Sequence, residues 1–439
     1  VAAETIETAR VTIIRGKVLN NDNQALTGVI ISIKDHPEFG QTLSRADGVF
    51  DMAVNGGSLL TINYTKLGYL PVQRQVQTPW ADYAYAEDIV MIPLDNIATR
   101  IDLSNNTEAF QVAQGSVSTD VDGSRQATVL FPQGTTASMT LADGTIQPLT
   151  SMTVRATEYT VGENGPKRMP GPLPPASAYT YAVELSVDEA IAVDATTVSF
   201  NQAVPVYVDN FLNFPIGEVV PVGYYDKSRT AWIPSENGKV IKIISITNRL
   251  ANLDVDGDTI ADTGIKLTNL GISDAERVEL ANLYQAGKSL WRFSVLHLTP
   301  WDCNWPFGPP ADAIPPLPEP PVITPPDEDQ DRCRGCFIQP QSQSLGEEIP
   351  VIGTPFKLVY QSKRMKGYTG NFKLDIPLTE IDFPTSLKKI DLTVQVAGQE
   401  FKRTFIPEPN LSYTFAWDGK DSFGRSVNHA QAKVTIDYQ

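Results

Sequence analysis

The sequence predicts an all-β protein built from tandem sandwich modules. Three observations carry this. Short β-branched runs with apolar and polar residues alternating recur along most of the chain. Turn formers are abundant, with 33 Pro and 30 Gly in 439 residues, a composition that suits many short strands and not long helical bundles. Only one stretch, 273–290, carries helical signals. At about 100–200 residues per domain the chain holds two to four domains, each able to bury its own core without disulfide staples.

Residues 1–94 read as the first module. Val11–Val18, Gly28–Ile33 and Leu59–Tyr64 are β-rich runs, separated by the turns Asn20–Gln24 and Arg45–Gly48. This spacing predicts an antiparallel sandwich. Residues 95–246 predict a second sandwich, through Gln126–Phe131, Met152–Thr157, Ala178–Leu185 and Val204–Val208, with a Pro-rich loop from Gly165 to Pro175. Residues 247–332 then break the pattern. They contain an acidic loop, the helix, an aromatic segment and a Pro-rich strap. Residues 333–439 return to alternating strands, notably Phe356–Tyr360 and Ile390–Val396. The run Ala432–Gln439 reads as a strand whose partner is expected to follow.

The predicted helix starts at a capping box, Ser273-x-x-Glu276. Val278, Leu280, Ala281, Leu283 and Tyr284 form a partial apolar stripe, and Gly287 suits the C-terminal end. In the strap, paired prolines recur at 309–310, 315–316, 320–321 and 325–326, before the acidic run Asp327–Asp331. Proline fixes φ and removes a donor, so an extended semi-rigid linker is expected.

Charge narrows the functional classes. A formal net charge of -16 argues against nucleic acid and against a polybasic membrane dock. No apolar run reaches membrane-spanning length. Residues 1–10 lack the apolar stretch of a signal peptide. The three cysteines, Cys303, Cys333 and Cys336, make no disulfide framework. Cys333-x-x-Cys336 reads as a local disulfide or two free thiols in preference to half of a zinc site. His36, His297 and His429 stand in no metal or nucleophile motif and read as packed or surface residues. No catalytic residue is assigned.

One constellation points to a metal. Asp254, Asp256, Asp258 and Asp262 occupy relative positions 1, 3, 5 and 9 of a single loop. Carboxylates so spaced curl around a hard cation, and Ca²⁺ takes six to eight oxygens. The pattern resembles the D-x-D-G-D-x-x-x-D calcium loops of thrombospondin type 3 repeats. It departs from the EF-hand, since Gly257 stands at position 4 and no Glu closes the loop. A structural calcium is expected here, against a plain solvated acidic turn.

The segment Thr299–Pro310 holds two Trp, one Phe and four Pro. With Trp291 it predicts a rigid apolar stopper formed by Trp291, Trp301, Trp305 and Phe307. The simpler reading is a core-filling loop.

Two resemblances follow from these residues. The motifs Gly16–Val18, Gly28–Ile31, Ser44–Phe50 and Gly68-Tyr69 resemble the carboxypeptidase regulatory-like, transthyretin-like domain, with Ser44 where Thr is usual. Arg277–Phe293, Trp301–Pro310, Gln343–Phe356, Leu358–Tyr368 and Trp417–Arg425 resemble the N-terminal plug region of Rhs and YD-repeat proteins, which include the teneurins. In that family a spiral β-sheet makes a hollow shell around a C-terminal toxin or effector, and transthyretin-like and plug domains close one end. The resemblance implies a non-enzymatic, secreted or injected structural cap, with 247–332 as the plug and 333–439 as the first strands of a YD-type shell. Its partners would be the rest of the shell and the toxin domain. Teneurin-like extracellular adhesion, stiffened by calcium, is the alternative use of the same architecture.

Overall fold

A computed structural model describes residues 4–105, 107–174, 177–306, 308–316, 322–323, 336–339, 344–361, 372–427 and 430–439. They form two compact units, Val1–Phe307 and Gly308–Gln439. The chain is all-β.

The first module is a sandwich of two four-stranded sheets. Val11–Leu19 pairs antiparallel with Val49–Asn55 and parallel with Asp82–Tyr85. Opposite lie Gln41–Leu43, Ile30–Ile33, Leu59–Thr65 and Val72–Gln77, in that order. Alternation decides which side chains meet: Ile14, Ile31, Phe50, Ile62 and Tyr64 are all fully buried between the sheets. Gly16 is required by this packing, because a Cβ there would lie 2.8 Å from the Phe50 ring. Ser44, the departure from the usual motif, is buried. Its Oγ accepts from Val29 N at 2.9 Å and donates to Leu26 O at 2.7 Å, so the hydroxyl ties two loops together.

The second sandwich extends well past residue 246. Its larger sheet runs Phe110–Gln114, Ala127–Pro132, Thr197–Asp209, Ser289–Leu298, Gly238–Thr247, Val219–Val220. Its smaller sheet runs Ala231–Pro234, Gly223–Asp226, Pro300–Asp302, Ala182–Val187, Ser151–Glu158, Thr99–Asp102. The expected boundary therefore cuts the strand Gly238–Thr247, and two inner strands come from the expected plug. The physical reason is core completion. Trp291, Phe293, Val295 and Trp301 belong to the same buried cluster as Val129, Leu185 and Val206.

The expected helix is shorter than its pattern. It spans Asp274–Leu283, and Tyr284 is already extended at φ -130, ψ 154. Sheet pairing takes over here, since Gly287 N donates to Ile243 O and Ser289 pairs with Lys242. Ser273 caps the helix by accepting from Glu276 N at 3.1 Å. Two five-residue helices, Asp188–Ala192 and Ile265–Asn269, carried no clear sequence signal.

Among its described residues the second unit contains three three-stranded sheets. Lys373–Pro377 and Ser412–Ala416 face Gln399–Phe405, Ile390–Val396 and Ala432–Tyr438 across a core of Ile376, Leu392, Val394, Phe415 and Trp417. Ala432–Tyr438 pairs along its whole length with Ile390–Val396. The third sheet, Cys336–Gln339, Ser344–Pro350 and Lys357–Gln361, contributes nothing to any buried cluster among the described residues. Ile352, Phe356, Leu358 and Tyr360 on its hairpin are exposed.

Candidate functional site

The strand Leu250–Asp254 delivers Asp254 into the interior at 1% exposure. Its Oδ1 accepts from Gly257 N at 2.7 Å, and its Oδ2 accepts from Thr259 N at 3.0 Å. Asp262 Oδ2 accepts from Val255 N at 2.8 Å. Gly257, at φ 87, lets the loop reverse; a Cβ there would also strike Ile216 O at 2.5 Å. The loop thus brings carboxylate oxygens of Asp254, Asp256 and Asp262 within 4.8 Å of one another.

Asp258 stands outside this trio, and its Oδ1 accepts from Ile260 N. The missed participant is Lys266, on the short helix after the loop. Its Nζ pairs with Asp256, lies 2.6 Å from Asp262 Oδ1, and is 3.9 Å from Asp258 Oδ2. An ammonium therefore offsets the carboxylate repulsion. Its hydrogen bond holds Asp256 below the usual carboxylate range, and Asp256 and Asp262 in turn raise the lysine. The i, i+4 spacing of Asp262 and Lys266 was the available signal. The donor set, all hard carboxylate oxygen, fits calcium in chemistry. Much of Asp254's acceptor capacity is already spent on backbone N–H groups.

The aromatic residues do something other than expected. Trp291 and Trp301 are 0% and 2% exposed, inside their own sandwich. Trp291 Nε1 donates to Asn210 Oδ1 at 2.8 Å. Trp301 Nε1 donates to His297 O at 3.2 Å. Trp305 is half-buried and stacks on Phe214 with centroids 4.1 Å apart. Phe307 lies outside the described residues. A stopper needs its apolar surface free. Trp291 and Trp301 have spent theirs on the local core, which is the simpler of the two sequence readings.

His297 stacks on Trp301 at 4.9 Å, and burial pushes its imidazole pKa down. His36 pairs with Glu38 at 2.8 Å on the surface. Cys303 is buried with a free thiol that burial raises. Cys333, the side chain of Cys336, and His429 lie outside the described residues.

Of the five buried arginines among the described residues, three hold contacts that the sequence reading did not foresee. Arg125 forks onto Asp120 at 2.6 and 2.8 Å and bonds Glu158 at 2.7 Å. Arg292 holds Glu276, and Arg74 reaches the carbonyls of a loop in the second sandwich. An isolated Arg in an alternating strand gives no hint of its partner, so none of these was legible. No helix among the described residues is long and apolar enough to cross a membrane.

This is the architecture of a modular, β-rich chain of tandem sandwiches. Residues 6–91 match the family described as the Teneurin TTR-like domain, and residues 373–439 match the FN-plug domain of Teneurin 1-4. The plug match falls on the second unit, where the sequence reading expected shell strands. Teneurin-3 of Mus musculus is 39% identical over 103 residues, 23% of this chain and 4% of that protein. Teneurin-4 of Homo sapiens is 38% identical over 103 residues, and Teneurin-1 of Caenorhabditis elegans 32% over 116. The aligned stretch spans 4% of each relative's length. Among solved structures, the major pilin subunit of Bacillus cereus aligns with 96% of the chain at 10% identity and a TM-score of 0.17, too low to bear on the fold.

Proposed function

We propose that this chain is a non-catalytic structural segment of a teneurin-like extracellular protein. The observation that carries the reading is the pair of teneurin domain matches on two separately folded units of one chain. The absence of a membrane-crossing helix among the described residues is compatible with an extracellular setting. The exposed apolar hairpin Ser344–Gln361 supports a larger assembly, because such surface on a three-stranded sheet calls for a covering layer. A β-rich shell continuing from the same protein is the proposed cover.

The narrower reading is a cap that seals a YD-repeat shell around a C-terminal toxin. It rests on the sequence resemblance of Gln343–Phe356, Leu358–Tyr368 and Trp417–Arg425. Cell-surface display separates the two. A product that stays on the surface and promotes aggregation of cells supports the scaffold. One that kills neighbouring cells through a releasable C-terminal domain supports the toxin cap. Hydrolysis of a glycan panel by the chain would overturn both.

Calcium is proposed as a stiffening ion at Asp254, Asp256, Asp258 and Asp262. There it would compete with the Lys266 ammonium for the same oxygens. The residues' own part is to hold the loop against the strand Leu250–Asp254.

A further inference from the structure

The transthyretin-like domain meets the second sandwich along the strand Val72–Gln77. Arg74 sits on the buried row of that strand, flanked by Val72 and Val76, and is 3% exposed. Its Nη1 donates to Gln73 O at 2.7 Å and to Met169 O at 3.0 Å. Its Nη2 donates to Pro166 O at 3.2 Å and Lys167 O at 3.1 Å. Three of these four acceptors belong to one 3₁₀ turn of the other domain, Gly165–Arg168, and its cap. Pro166 O also accepts from Met169 N within the turn, and carbonyls at the end of such a turn carry partial negative charge that draws a cation. The nearest carboxylate, Glu87, is 3.8 Å away and exposed. Arg74 is thus a buried cation satisfied mainly by carbonyls that a different domain supplies.

Further contacts surround it. Gln73 N donates to Pro170 O at 2.8 Å, and Tyr225 OH donates to Gln73 Oε1 at 3.0 Å. Asn164 Nδ2 donates to Asn21 O at 3.0 Å. Leu70 and Ile92 of the first domain share a buried cluster with Tyr159, Met169 and Ala182 of the second. The backbone leaves no slack, since a Cβ on Gly171 would come within 2.2 Å of the Tyr225 ring.

We infer that Arg74 is an interdomain lock that makes the transthyretin-like domain and the sandwich of residues 95–306 open as one unit. The domain is then a fixed foot and not a tethered module that swivels about residues 91–98. A planar guanidinium reaches several oxygens at once, which a lysine ammonium on the same stem does not match. If the domains part, the turn loses all three donations together and the shared apolar cluster opens to water. The contact is therefore all-or-none. This inference does not depend on what the chain binds.

Native-state hydrogen exchange on the whole chain tests it. The strands Val11–Leu19 and Leu59–Thr65 should exchange with the same opening free energy as Ser151–Glu158 and Ala182–Val187. Arg74→Gln should split them, with protection of the first pair falling at least about tenfold below the second. Tyr225→Phe removes one bond at the joint and should split them less, in the same direction. If Arg74→Gln does not fold, Arg74→Lys reads the same split. Independent opening of the first domain in the wild type would overturn the inference. So would an unsplit, equal loss across both domains in the variants, or no change at all.

Discussion

Arg292 holds Glu276 in a two-point grip, Nε to Oε1 at 2.8 Å and Nη2 to Oε2 at 3.2 Å, with both side chains at most 5% exposed. Tyr207 OH also donates to Glu276 Oε1, and Arg292 Nη1 donates to Leu270 O at 2.7 Å. The grip joins the helix Asp274–Leu283 to the middle of the larger sheet. Removing one partner leaves the other charge buried and unpaired. Glu276→Ala should therefore cost about 3–5 kcal/mol in urea unfolding. Replacing both residues with apolar ones of similar volume should cost much less than the sum of the single losses.

Trp291→Ala should cost about 3–5 kcal/mol, because a fully buried indole leaves a cavity. Trp305→Ala should cost clearly less, since that ring is half-buried. Equal and small effects from both would restore the view of these residues as a free stopper.

Two carboxylates should bend the pH profile in opposite directions. The Arg125 hydrogen bonds hold Asp120 down to about 2, below its usual 3.8. A depressed native pKa stabilises above the unfolded value and is lost as pH falls, so stability should drop between about pH 4 and pH 2. Asp120→Asn should flatten that limb. Burial pushes Asp302 up to about 6, and it is 8% exposed. A raised carboxylate costs stability when ionised. That cost should be relieved as pH falls from about 6 to 4, by up to about 3 kcal/mol. Asp302→Asn should remove this rise and stabilise the fold at neutral pH. Denaturant midpoints across pH 2–8 read both.

Calcium should raise the melting temperature, and Asp256→Ala should abolish the rise. Lys266→Met should enlarge it, since the tethered ammonium no longer competes for Asp256 and Asp262. No difference between calcium and EDTA, in either the wild type or Lys266→Met, would remove calcium from this loop.

The sequence was most informative where one side chain's neighbours in the chain decide its environment. Val11–Leu19, Ile390–Val396 and the Ser273 cap were read close to where they lie, because alternation and capping are local. It failed where distant strands compete. Glu276 looked like half of a capping box, but its carboxylate faces Arg292, sixteen residues away in sequence. Gly287 looked like a helix end, but the sheet claimed the preceding turn. Trp291 and Trp301 looked like part of a rigid stopper because Thr299–Pro310 is dense in Trp and Pro, and nothing local shows that their strands complete the sandwich core. The acidic loop was legible as four aspartates; of Lys266 only the i, i+4 pairing with Asp262 could be read, because the fold-back of Ile265–Asn269 is what brings it to Asp256 as well.

The most direct measurement is the intact mass of the natural gene product, with peptide sequencing beyond Gln439. A longer extracellular polypeptide that adds β-rich sequence, able to cover Leu358 and Tyr360, is the expected result. YD repeats with a separable C-terminal domain in that region would favour the toxin cap, and their absence the adhesive scaffold. A product confined to these residues, functional with the hairpin Ser344–Gln361 still bare to solvent, would contradict the proposal that the chain is one segment of a larger shell.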